Sequence, residues 1–210
     1  MKEATSASST ITLVSAITMD SSVSEASTIK EPSQYVKTIL PIEAGRKRSR
    51  WVAFQKSPTT ENMDCYDMKT VQAIRNNDVS ALRSLLEEGT CFDACNRNGE
   101  TLLHLACRRS SVEVVDFLVN EAGVNVNVQD DMGRTCLHDV CWRPTANLEL
   151  MQLVLEHVSP ELLLAEDARG HTCLDYCRKN EWPQWIDFLK KSTPTLKLRS
   201  ALVEAMAMVG

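Results

Sequence analysis

Gly99-Glu-Thr-Leu-Leu-His-Leu-Ala-Cys107, Gly133-Arg-Thr-Cys-Leu-His-Asp-Val-Cys141 and Gly170-His-Thr-Cys-Leu-Asp-Tyr-Cys177 are three copies of one pattern, their glycines 34 and 37 residues apart. Each copy precedes a second run with helical apolar spacing. These runs start at Val112, Leu148 and Trp182 and end at Val119, Leu155 and Leu189. A fourth such run, Val79 to Leu86, lies upstream, with Asp78 placed to cap its start and Gly89 to end it. Self-similarity at this period marks a stack of helical units, because one unit cannot bury its apolar stripe alone.

The pattern resembles the ankyrin repeat, a turn followed by two antiparallel helices in about 33 residues. The Thr-Pro-Leu-His signature stands as Thr101-Leu-Leu-His104 and Thr135-Cys-Leu-His138, and decays to Thr172-Cys-Leu-Asp175. Gly123 with Val126-Asn127 matches the outer loop. The resemblance covers residues 66–192 and implies an all-α solenoid of stacked helix-turn-helix units with short hairpin-like turns. Leu102, Cys136 and Cys173 replace the proline, losing its preset φ. Extra residues at Arg143–Ala146 and Ser159–Leu164 predict bulges in the third unit. The first unit, from Asp67 to Asn98, lacks the signature and reads as an N-terminal cap.

Three segments are expected. Residues 1–63 form a disordered Ser/Thr-rich arm with a basic cluster. Residues 64–193 form the repeat domain, with units at about 64–98, 99–132, 133–169 and 170–193. Residues 194–210 form a C-terminal capping helix. The arm reading rests on fifteen Ser or Thr in the first forty residues, with no lasting apolar period. The tail has Leu198, Leu202, Ala205, Met206 and Val209 at helical spacing after Pro194, a stripe suited to covering the last unit.

Composition excludes several classes. The 210 residues carry net charge −5, against a general nucleic-acid coat. Nothing approaches an 18-residue apolar span. Eight cysteines without paired C-x-x-C knuckles read as buried thiols in a reducing compartment. Ile11–Met19 is a poor signal-peptide core, interrupted by Thr12, Ser15 and Thr18. Plastid-type transit remains open for this Ser/Thr-rich arm, and the compartment expected is cytoplasm, nucleus or both. Arg46-Lys-Arg-Ser-Arg50 is a candidate nuclear signal.

The chain shows no phosphate loop, H-E-x-x-H or nucleophile elbow. His104/Cys107 and His138/Cys141 each place imidazole and thiol one turn apart, as zinc or thiolate chemistry would need. Both pairs occupy one repeat position, about 8–10 Å apart in a stack, so one metal cannot use both. The resemblance makes this histidine structural. No enzyme activity, metal or cofactor is therefore expected.

The resemblance instead implies a non-catalytic adaptor or scaffold, a monomer binding a protein partner on its concave face. Carried over by position, the contact residues are Arg97, Arg108, Arg109, Met132, Arg134, Trp142, Arg143, Arg169 and Lys179. They are mostly basic, although residues 64–193 hold 13 basic and 21 acidic side chains, net −8. The partner expected therefore has an acidic surface. A second reading comes from Arg50-Trp-Val-Ala-Phe54, which resembles the docking motif of type-1 protein phosphatase partners. Arg50, Val52 and Phe54 would then make the chain a regulatory or targeting subunit, with the two apolar side chains on one side of an added strand.

Overall fold

Thr101, Thr135 and Thr172 fix where the first helix of each signature-bearing unit begins. The Thr101 hydroxyl accepts from the His104 backbone N–H at 3.3 Å. In return, the His104 ring nitrogen Nδ1 accepts from the Thr101 backbone N–H at 3.2 Å. The same reciprocal box closes at Thr135/His138 and Thr172/Asp175. The structure, a computed structural model, describes residues 31–40 and 60–209. The calls on residues 1–30, on Arg46–Arg50 and on Arg50, Val52 and Phe54 lie outside the described residues.

The described residues form helices α1 (Pro32–Ile39), α2 (Thr60–Asp64), α3 (Met68–Arg75), α4 (Val79–Glu87), α5 (Leu102–Arg109), α6 (Val112–Asp116), α7 (Cys136–Cys141), α8 (Leu148–His157) and α9 (Trp182–Val209). A π-helical turn, Phe117–Glu121, extends α6, and 3-10 turns cover Pro160–Leu164, Cys173–Tyr176 and Lys179–Glu181. The fold is all-α. Helices α3, α5, α7 and the Cys173–Tyr176 turn pack side by side as the inner row. The α4, α6, α8 and early α9 segments form the outer row. Asp78 caps α4 by accepting from the Ala81 N–H at 2.9 Å, and Gly89 follows at φ +84°, both as expected.

Turns register the units against each other. Asn96, Asp130 and Asp167 each open a turn and accept backbone N–H groups two and four residues on. Between units, the Asp131 N–H donates to Asn98 O and the Ala168 N–H to Met132 O, both at 2.8 Å. That approach requires glycine at Gly99, at φ +74°, where a Cβ would lie 3.3 Å from the Asp130 Cα. Isolated antiparallel bridges at Cys95/Thr101 and Glu166/Thr172 give two of the turns their hairpin-like form. The extra Pro160–Leu164 segment turns inward, burying Leu162, Leu163 and Leu164.

Three expectations need correction. The arm is not uniformly unstructured: α1 docks on α9 and on the two 3-10 turns of the last units, with Val36 fully buried and Ile39 and Leu40 nearly so. A three-residue apolar stripe sufficed because a preformed end face was there to receive it. The tail is not a separate helix, since α9 runs through Pro194. Its stripe does not cap the stack: Leu198, Leu202 and Met206 are exposed. With α1 already on the end face, α9 turns inward Leu196 and Arg199, which donates to the carbonyls of Leu155 and of Val158, the latter at 2.6 Å. Finally, the first helix of the fourth unit is only the 3-10 turn Cys173–Tyr176. The chain becomes extended at Cys177, at φ −65° and ψ 136°.

Candidate functional site

The residues after each signature histidine or its equivalent lie under the inner-row side chains: Leu105 lines a cavity, Asp139 pairs with Arg108 and Tyr176 stacks on Trp142. One turn later come the inner-helix ends, Arg108 and Arg109, then Trp142 and Arg143; in the fourth unit Arg178 and Lys179 follow the shorter Cys173–Tyr176 turn. These side chains and the unit turns form the groove wall.

Trp142 is its most prominent apolar feature. It is the C-cap residue of α7, is 51% exposed, and lies against the Tyr176 ring with centroids 4.9 Å apart and planes tilted 40°. Tyr176 is itself held, its hydroxyl donating to the Asp167 carboxylate. Burial and that carboxylate push the phenol up to about 12. Trp142 therefore rests on a buttressed ring while presenting its other surface to solvent.

The basic residues divide into two groups. Arg108 contacts Glu100 at 2.8 Å and Asp139 at 3.2 Å. Arg134 contacts Asp130 at 2.6 Å and Glu100 at 3.6 Å. Arg143 donates Nη1 to Cys107 O at 2.9 Å and Ser110 O at 3.0 Å, capping the C-terminus of α5. These three are engaged within the fold. Asp139, within this network, is nearly buried, and burial pushes its carboxyl up to about 7 against the pull of Arg108 and Arg134. Arg97, Arg109 and Arg169 are exposed and form no ion pair among the described residues. Lys179 lies 5.8 Å over the Trp182 ring, and Met132 is 37% exposed.

A cavity of about 390 Å³ is lined by Arg108, Arg109, Trp142, Arg143, Pro144 and Arg178, with no carboxylate among its lining residues. A second, of about 610 Å³, lies one unit back, against Tyr66, Arg75, Glu100, Leu105, Arg108 and Arg109. Sequence reasoning missed Arg75, Arg178 and Tyr176. The signal for Arg75 was its place at the end of an inner helix, shared with Arg109; Arg178 lies just past the shortened Cys173–Tyr176 turn. Carrying positions over from the earlier units gave Lys179 in place of Arg178 because a full-length helix does not form there.

The two histidine–cysteine pairs are structural. With Nδ1 accepting from Thr101, the neutral His104 ring carries its proton on Nε2 and donates to Arg134 O at 3.1 Å. His138 likewise reaches His171 O at 3.3 Å. Each imidazole thus ties its helix to the next turn, and burial lowers both from their ordinary value. A hydrogen bond with Cys136 and burial push the Cys107 thiol well above its ordinary value; burial leads for Cys141. Neither is an activated thiolate. Among the described residues, no group of three or more His, Cys, Asp or Glu is placed to hold a metal ion, and no helix is long and apolar enough to cross a membrane.

Comparison with known proteins agrees with this geometry. A family model for ankyrin repeats in three copies matches residues 70–162. The chain is 28% identical, over 40% of its length and 11% of the relative's, to human SMC5-SMC6 complex localization factor protein 1. It is 37% identical to BRCA1-associated RING domain protein 1 of Caenorhabditis elegans, over 40% of this chain and 12% of that one. It is 31% identical to the putative E3 ubiquitin-protein ligase XBAT34 of Arabidopsis thaliana, over 53% and 29%. The chain spans less than a third of the length of each of these relatives. The stacked turns, the histidine ties and the matched family together identify residues 70–162 as three ankyrin repeats, a module of protein–protein interaction.

Proposed function

We propose that this chain is a non-catalytic adaptor whose concave face, across the second to fourth units, binds a protein presenting acidic groups. The observation that carries this reading is Trp142, half exposed on a buttressed tyrosine beside arginines without carboxylate partners. Aromatic and arginine side chains in such clusters often dominate interface energies. The reading is supported further by local charge reversal, since a basic ledge sits on a net-acidic block.

The test compares affinity purification by the parent and by Trp142→Ala, followed by isothermal titration with the captured protein. Truncating Trp142 should cost about 2 kcal/mol or more of binding. Melting should change little, because half of the side chain is already in water. Equal capture and equal affinity refute the reading. A melting point several degrees lower makes Trp142 a core residue instead.

A further inference from the structure

The basic residues of the groove repeat with the fold. Arg75 ends α3, Arg109 ends α5, and Arg178 follows the Cys173–Tyr176 turn, so the inner row offers one unpaired arginine in its first, second and fourth units. All three are exposed, and none forms an ion pair among the described residues. In the third unit the equivalent arginine, Arg143, caps α5, and the exposed side chain is Trp142. The ledge therefore reads Arg, Arg, Trp, Arg along the stack.

Its pitch is set by helix packing, about 8–10 Å per unit. An extended peptide advances roughly 3.1–3.4 Å per residue, so about three residues span one unit. We infer that the groove takes an extended acidic segment read in steps of three residues, with two acids, then an aromatic residue, then a third acid, facing Arg75, Arg109, Trp142 and Arg178 in turn. This inference rests on the concave-face reading and adds the partner's register.

A peptide fits better than a nucleic acid. Glu100 lines the second cavity, and the 64–193 block is net −8, which repels a uniform polyanion. Spaced single carboxylates can meet the arginines while avoiding that background. Each contact would be a charge-assisted hydrogen bond, with the aromatic side chain resting on Trp142.

The test uses the full chain and two fluorescent ten-residue peptides of equal composition. One carries Glu at its first, fourth and tenth positions and Phe at its seventh. The other carries the three Glu together at its start. A ten-nucleotide oligothymidylate is the third probe. The spaced peptide should bind about tenfold or more tighter than the clustered one, and Arg109→Glu and Arg178→Glu should each weaken it about tenfold. Unchanged melting of these surface variants shows that folding is intact. Equal binding of both peptides, with Trp142→Ala weakening both, overturns the register and leaves the concave-face reading standing. Binding insensitive to Trp142→Ala and to both arginine variants overturns the inference and removes support from that reading. No binding of the spaced peptide at millimolar concentration overturns the register alone. Oligothymidylate binding as tight as the spaced peptide's makes the ledge a general polyanion surface and overturns the inference.

Discussion

Replacing Val36 by Asp should undock α1 and lower the stability of the whole stack. Val36 is fully buried, and Ile39 and Leu40 beside it are 7% and 5% exposed. They cover the end of the last unit against α9 and the Pro160–Leu164 and Cys173–Tyr176 turns. Fully burying one aliphatic side chain contributes about 1.5–3 kcal/mol. Ordering each residue of the helix costs roughly 1–2 kcal/mol, so docking is a small difference between larger opposing quantities. That difference sets a ceiling. Val36→Ala removes two carbons, worth about 0.8 kcal/mol each, and should cost about 1–2 kcal/mol. Val36→Asp places a carboxylate in an apolar seat, so α1 leaves rather than holding it there. Its cost should therefore stop at the docking free energy and equal that of deleting residues 1–40. Urea titration followed by circular dichroism measures all three variants, and amide exchange of Leu40, whose N–H bonds Val36 O at 2.9 Å, reports undocking directly. The reasoning fails if Val36→Asp is as stable as the parent. It fails equally if Val36→Asp falls well below the truncated chain, because the damage then lies outside the docked helix.

Other consequences follow from the core and from its buried charges. Leu137 is fully buried between the helix rows, and Leu137→Ala should cost roughly 2–5 kcal/mol in denaturant titration; a loss below about 1 kcal/mol would contradict the inner-helix packing. Asp139 is raised from 3.8 to about 7, so between those values the native carboxyl holds a proton that the unfolded chain has released, and this group's contribution to stability falls as pH rises, by up to about 4 kcal/mol. His104 and His138 act oppositely: lowered by burial, they withhold stability as pH falls below 6.5. Asp139→Asn should therefore lose more stability than the parent on acidification from pH 7 to pH 5, and parallel pH profiles would show that Asp139 does not titrate there.

The inner helices were legible in sequence because their determinants are local. A Thr three residues before a His, a Gly at the turn and apolar residues in helical period all act within one unit, so periodicity alone places Leu137, His104 and His138 correctly. The concave face was legible only as a set of positions. Which arginines are free depends on partners from four to 36 residues away. Arg108 meets Glu100 and Asp139, Arg134 meets Asp130 and Glu100, and Arg143 reaches back to carbonyls of the preceding unit. No spacing rule distinguishes these from Arg109. The docking of α1 was hidden for a related reason. A short helix with three buried apolar residues has no stability of its own, and it forms because a distant surface receives it. That same surface explains why the stripe of the tail points outward.

One substitution in the repeat pattern did announce the end of the stack. In the second and third units the histidine donates forward, His104 to Arg134 O and His138 to His171 O, so each imidazole needs a turn ahead of it. Among the described residues the fourth unit has no such turn ahead, so a histidine there would have no forward carbonyl to tie to. Asp175 stands in its place. Its carboxylate accepts from the Thr172 N–H and hydroxyl, both at 2.8 Å, so the local box is kept. Being an acceptor only, it can also take a donor from outside the unit. Partial desolvation raises the Asp175 carboxyl, but hydrogen bonding with Ser33 on α1, the Thr172 bonds and the charge of Lys37 on the same helix hold it below its ordinary value. The change from His to Asp replaces a forward donor with an acceptor, and that acceptor faces α1, which docks on the end of the solenoid.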